Sequence, residues 1–253
     1  MSGRVTVVGL GPGDPSLLTE SARRALDEAT DLIGYFPYVA RVPEREGLTR
    51  HASDNRVEVD RARHALALAT AGRNVAVVSG GDPGVFAMAA AVFEAVEQGE
   101  PGWRDLAITV EPGITAMLAA AARLGAPLGG DFCAMSLSDN LKPWPVVTAR
   151  LEAVLRADFV IALYNPISSA RPWQLGAALD LAVGIRAPET PVMFARAISR
   201  PDEAIRVTSL REASSDMADM ATVVILGAST TRLIPRAGKT PFVYTLRSVK
   251  EVT

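Results

Sequence analysis

Cysteine is almost missing from this chain. Its 253 residues include one, Cys133. A single thiol excludes an internal disulfide, a zinc knuckle and a cysteine-ligated iron–sulfur cluster, and it fits a reducing, cytoplasmic setting. Histidine is nearly as scarce: His51 falls in a loop pattern and His64 in a helix pattern. That pair has no metal-ligand spacing, so no metal site is expected. Neither sign of charge dominates, with 26 basic and 28 acidic residues. No global field attracts nucleic acid, so an anionic ligand must be met locally. No apolar run approaches the ~20 residues of a membrane span, so no membrane partner is expected. The first residues, Met1-Ser2-Gly3-Arg4, lead into a strand pattern rather than a signal peptide. There is no internal repeat, no low-complexity segment and no Gly-x-Ser-x-Gly nucleophile pattern. What is present is ordinary globular composition, 49% hydrophobic and 21% charged, at a length that allows one or two domains.

The most informative stretch is Val75 to Phe86, VAVVSGGDPGVF. Its apolar β-branched run reads as a strand buried on both faces, as in a parallel sheet. Gly80 and Gly81 then permit a tight turn and close backbone approach. Asp82 suits a helix N-cap and Pro83 the first helical position. The turn would lie at the carboxyl end of a parallel strand, where open α/β sheets place ligands. A valine at Gly81 is therefore expected to block the ligand and leave the fold intact. Arg4 to Gly9 is a similar strand and runs into Leu10-Gly11-Pro12-Gly13-Asp14-Pro15. The dinucleotide fingerprint fails there, because Asp14 stands where its third glycine belongs and Pro12 removes an amide donor. A third strand–turn–helix unit is Leu106 to Leu124, with Pro112-Gly113-Ile114-Thr115-Ala116 at its turn. Thr115 is placed to cap the helix or to face a ligand. Between these units, Tyr35 to Asn55 reads as irregular, and Arg41, Arg45 and Arg50 make it locally positive: a solvated loop or a flap over an anion.

The breaker-rich Gly125-Ala126-Pro127-Leu128-Gly129-Gly130 is the expected boundary between a domain over 1–127 and a second over 131–253. The second half opens with a strand at Phe132–Leu137 and a polar loop, Ser138-Asp139-Asn140-Leu141-Lys142-Pro143-Trp144-Pro145. A strand halted at Tyr164-Asn165-Pro166 follows, then a helix over Arg171–Val183. Strands at Pro191–Ala195 and Ala204–Thr208 are close enough to pair antiparallel. Thr222–Leu226 is a further strand and Phe242–Thr245 an edge strand. The periodicities predict two unequal α/β units, the first mainly parallel and the second mixed.

Four turns in this order resemble the tetrapyrrole methylase family, the class III S-adenosylmethionine-dependent methyltransferases. They are Gly9 to Pro15, Gly80 to Pro83, Pro112 to Ala116, and Leu163 to Pro166. Ser136-Leu137-Ser138-Asp139, Pro143-Trp144 and Gly227-x-Ser229-Thr230-Thr231-Arg232 are similar to the branch that methylates carbon-17 of precorrin-3B with ring contraction to precorrin-4, in cobalamin biosynthesis. The chain departs from that branch at Ala228 and in the stretch Tyr244 to Val249. The resemblance implies two αβα domains, a homodimer, and S-adenosylmethionine held in the cleft between domains. It places Pro12, Gly80, Gly81, Asp82, Val85, Thr115, Ala116, Tyr164, Asn165 and Thr208 at the methyl donor. Ring contraction needs proton transfer, for which Asp14, Asp139, Lys142 and Tyr164 are the candidates. The substrate carries many carboxylates, so Arg41, Arg45, Lys142, Arg171 and Arg196 are candidate clamps. The rival expectations are methylation of another carbon of a precorrin or cobalt-precorrin, a ribosomal RNA or diphthamide target, and a non-catalytic tetrapyrrole or adenosine-ligand binding protein.

Overall fold

The structure is a computed structural model that describes residues 3–54 and 57–248. Met1, Ser2, Asn55 and Val249, which entered the readings above, lie outside the described residues. The chain divides into two compact units, Met1–Thr115 and Ala116–Thr253.

The first unit runs β1 (Arg4–Gly9), α1 (Glu20–Glu28), β2 (Asp31–Tyr35), α2 (Phe36–Val39), β3 (Thr49–Ser53), α3 (Glu58–Thr70), β4 (Asn74–Ser79), α4 (Met88–Gln98) and β5 (Ala107–Glu111). Its sheet has the order β3-β2-β4-β1-β5, and every pairing is parallel. Successive side chains of a strand point to opposite faces. Val5, Val7, Val75 and Val77 accordingly pack with Ala62, Leu66, Met88 and Val92 from α3 and α4. Val8, Ala76 and Val78 face the other way, with Ala22 and Leu26 of α1. The helices after β1 and β4 thus lie on opposite faces although the two strands are neighbours. That is a topological switch point at the carboxyl ends of β1 and β4, the place where open α/β sheets bind ligands. The segment expected to be irregular carries α2 and the edge strand β3 (TRHAS). Only alternate residues of an edge strand meet apolar neighbours, so its polar sequence conceals it.

The second unit runs α5 (Ala116–Leu124), β6 (Gly125–Ala126), β7 (Phe132–Ser136), α6 (Trp144–Arg156), β8 (Val160–Tyr164), α7 (Gln174–Val183), β9 (Pro191–Arg196), β10 (Ala204–Ser209), β11 (Thr222–Leu226), β12 (Thr231–Arg236) and β13 (Lys239–Thr245). Its main sheet, β10-β9-β11-β8-β7, is mixed: β7 and β8 are parallel and the other pairings antiparallel. Leu151 and Leu155 of α6 and Leu175 and Leu179 of α7 pack with Ile161, Leu163, Val192 and Phe194 of the sheet. A smaller sheet has the order β12-β13-β6. The strand expected at an edge, Phe242–Thr245, is therefore its centre, with β12 antiparallel on one side and β6 parallel on the other. Gly125 adopts φ +124 and pairs with Val243, so the breaker-rich stretch serves as a sheet element.

Candidate active site

In the first unit three turns meet at the carboxyl ends of β1, β4 and β5. Gly11 and Gly81 exchange both backbone hydrogen bonds, N–H to O at 3.1 and 2.9 Å. Both take positive φ, +65 and +67, which suits glycine. Gly113 packs against them so closely that a Cβ there would lie 2.2 Å from the Gly81 carbonyl oxygen. Asp82 fastens the assembly. Its Oδ1 accepts from Gly84 N–H at 2.8 Å and its Oδ2 from Gly113 N–H at 3.0 Å. The Thr19 hydroxyl accepts from Ala22 N–H at the start of α1 and donates to the Pro112 carbonyl at 3.3 Å. Arg41 braces the same assembly from below, donating from Nη2 to the carbonyls of Leu10 and Gly11 at 2.6 and 3.1 Å.

These contacts correct two expectations. Asp82 does not cap α4: residues 82–84 form an Asx turn, and Phe86 at φ +52 lies outside helical space. The helix starts at Met88, whose N–H donates to Ser79 Oγ. A valine at Gly81 would strain the left-handed backbone and the Gly11 pairing, so it disturbs the turn itself as well as any ligand. Pro12 is buried, Val85 half-buried and Asp14 exposed. Asp14 caps the 3-10 turn Pro15–Leu17 by accepting from Ser16 N–H. Gly80 faces Tyr38, whose ring would meet an added Cβ at 2.7 Å. Thr115 is buried just ahead of α5.

In the second unit, the ends of β7 and β8 carry a polar cluster. The Tyr164 hydroxyl accepts from Met117 N–H, in the first turn of α5, at 3.0 Å. Ala116 opens that helix. Asn165 sits at φ +50, and its Nδ2 donates to Ser136 Oγ at 2.9 Å. Ser136 Oγ also accepts from Ser138 N–H. Arg171 Nε approaches Asp139 Oδ1 at 3.4 Å, and its Nη1 donates to Asn140 Oδ1. Lys142 has no hydrogen-bond or ion-pair partner among the described residues. Burial, with the charge of Arg150, pushes its ammonium below the ordinary lysine value. Thr208 lies on β10, where its hydroxyl donates to Glu212 Oε2.

Other candidates take structural positions. Arg45 donates to the carbonyls of Leu26 and Ala29 at the end of α1, and Arg50 to those of Val39 and Val42. With Arg41, these three arginines donate to backbone carbonyls. Arg196 is paired with Asp202 and Asp219. Ser229 of the closing motif binds Asp158 through its N–H and hydroxyl. Asp158 precedes β8, so that motif lies at the opposite end of the strand from Tyr164. His51 packs edge-on against His64 and hydrogen-bonds buried Asp31 at 2.9 Å. Among the described residues no group of three or more His, Cys, Asp or Glu is placed to hold a metal. No helix among them is long and apolar enough to cross a membrane. Burial raises the Cys133 thiol above its ordinary value, against the opposing pull of nearby Arg186. Sequence reasoning missed Arg41 as a brace, Ser136 as the acceptor under Asn165, and Gln174, which is buried at the start of α7. An arginine bound to carbonyls looks like any other arginine until the carbonyls are in place.

A family model, Tetrapyrrole (Corrin/Porphyrin) Methylases, matches residues 4–214. A precorrin-3B C(17)-methyltransferase from a Sinorhizobium species is 55% identical over 247 residues, covering 98% of this chain and 97% of that protein. A crystal structure of the methyltransferase CobJ superposes with a TM-score of 0.92 at 55% identity, over 97% of this chain and 100% of the other. A uroporphyrin-III C-methyltransferase from Thermus thermophilus, solved with S-adenosylhomocysteine, superposes at 0.67 with 26% identity, over 89% of this chain and 97% of the other.

Proposed function

The chain belongs to the tetrapyrrole methylase family, and from that premise we propose that it is an S-adenosylmethionine-dependent C-methyltransferase acting on precorrin-3B. It transfers a methyl group to carbon-17 of the macrocycle, coupled to ring contraction to precorrin-4, in cobalamin biosynthesis. The observation that carries this reading is the near-full-length likeness to the Sinorhizobium enzyme of that activity.

The donor set of the first unit fits the methyl donor. Pro12 brings no N–H to the first turn, which disfavours a pyrophosphate there. When bound, S-adenosylmethionine supplies an already activated methyl electrophile. The protein has then to align it with the nucleophilic carbon and exclude water. In the first unit the donor-binding residues of this reading are Pro12, Gly80, Gly81, Val85 and Thr115. Asp82 acts as a positioning residue, since both of its oxygens hold backbone N–H groups. In the second unit they are Ala116, Tyr164, Asn165 and Thr208. For proton handling, Asp14 and Tyr164 already accept backbone N–H groups. We therefore assign that role to Asp139, on the segment that follows β7. The protein acts as a homodimer in this reading.

Two measurements test the assignment. Calorimetry with S-adenosylhomocysteine should show binding, and incubation with labelled S-adenosylmethionine and precorrin-3B should yield a product with label on carbon-17 by NMR. Binding without transfer would reduce the protein to a ligand carrier. Label on another carbon would move it to a different branch of the family.

A further inference from the structure

The two loops at the carboxyl ends of β7 and β8 are fastened to each other. Residues 137–143 connect β7 to α6, and residues 165–173 connect β8 to α7. Arg171 joins them through Asp139 and Asn140. Trp144 and Trp173 join them again, ring edge to face with centroids 4.8 Å apart. Trp173 is half exposed. Ser168 and Arg171 close the second loop by exchanging backbone bonds at 3.1 and 3.0 Å.

Cations gather on these loops and at the start of α6: Arg171 is paired with Asp139, and Lys142 feels the charge of Arg150. Lys142 is half-buried and has no anion beside it among the described residues. Polar capacity in the same segment is also left over. Gln174 is 1% exposed, and neither of its amide atoms has a partner among the described residues. The same holds for the buried hydroxyl of Ser168. Leaving such groups unpaired costs about 1–3 kcal/mol each unless a ligand or water meets them. A guanidinium fork is suited to carboxylate, and a lysine ammonium adds a point charge.

We infer that Lys142 and Arg171, flanked by Arg150, form a subsite for one carboxylate of the tetrapyrrole substrate, which takes over the place that Asp139 holds on Arg171. The inference rests on the functional reading above and narrows it to named residues. The exposed face of Trp173 lies on the same loop and offers an apolar surface to a planar macrocycle.

Uroporphyrin, an inert octacarboxylate tetrapyrrole, is the probe. Its binding is followed by quenching of tryptophan fluorescence, and S-adenosylhomocysteine binding is followed by calorimetry on the same samples. Lys142→Gln and Arg171→Gln should each weaken uroporphyrin roughly tenfold, a loss of about 1.4 kcal/mol, with S-adenosylhomocysteine affinity within about twofold of the parent. Asp139→Asn should instead tighten uroporphyrin several-fold, because it removes the competing carboxylate. A loop brace alone predicts the opposite sign for that variant. KM for precorrin-3B in the transfer assay should rise in the first two variants. Parental uroporphyrin affinity and KM in both, or weakening by Asp139→Asn equal to that by Arg171→Gln, overturns the subsite and leaves the functional reading standing. A parent protein that binds no tetrapyrrole and transfers no methyl group removes both.

Discussion

At the scale of single residues, the buried charges of the first unit serve stability. Asp31 is 2% exposed at the start of β2, on the far end of the sheet from the glycine turns. Burial alone would raise its pKa. Hydrogen bonds with His51, Arg73 and Thr30 outweigh that and hold it below the ordinary carboxylate value. A carboxylate depressed in the folded state stabilises the protein above its unfolded pKa of about 3.9. That contribution is lost as pH falls through the folded pKa. Asp31→Asn should therefore cost about 2 kcal/mol at neutral pH, less than the roughly 3–5 kcal/mol of a fully buried pair because Arg73 is partly exposed. In denaturant titrations the difference from the parent should persist down to about pH 4 and shrink below it. A pH-independent difference would show that the network does not stabilise through the charge of Asp31. The Gly-Asp-Pro signature itself was legible as a turn. Its chemistry was not, because Asp82 meets Gly113 across 31 residues of chain.

At the scale of elements, β1, β2, β4, β8, β9 and β11 were readable because each buries a largely apolar run. β3 and β12 were missed. Their residues are TRHAS and TRLIPR, and neither is sealed on both faces. The turns at the carboxyl ends of β1, β4 and β5 form one mechanical unit through Asp82. Asp82→Asn keeps one acceptor and can turn a donor amide toward the Gly113 N–H. It should lower stability by about 1–3 kcal/mol and weaken S-adenosylhomocysteine roughly tenfold. Chemical denaturation and calorimetry measure the two losses. Donor affinity equal to the parent would show that the turns hold their shape without this carboxylate.

At the scale of the whole molecule, the charge balance gives no general attraction for polyanions, and the recognition of a polycarboxylate falls to local groups. The homodimer proposed for this chain has a visible candidate surface. Ile234 and Phe242 are a cross-strand pair on β12 and β13, and both are about half exposed. Arg236 lies over the Phe242 ring at 3.8 Å. Sedimentation should give about twice the 26.7 kDa of one chain for the parent. Ile234→Glu should shift it toward the monomer, since a buried unpaired carboxylate is costly at an apolar contact. A monomeric parent would overturn the dimer, and an unshifted variant would move the interface elsewhere.

The sequence by itself determined the layered α/β class, the parallel and mixed character of the two sheets, the turns and the family. These follow from local patterns: β-branched runs, breakers at their ends and helical periodicity. Only the tertiary structure decided what the polar side chains do. It showed that Arg41, Arg45 and Arg50 bind carbonyls, that Asp82 joins turns, that Ser229 holds Asp158 at the far end of β8, and that Lys142 has no anion beside it among the described residues. The reason is physical: a strand's pattern is written in neighbouring residues, whereas a hydrogen-bond partner is chosen by whatever the fold brings within 3 Å.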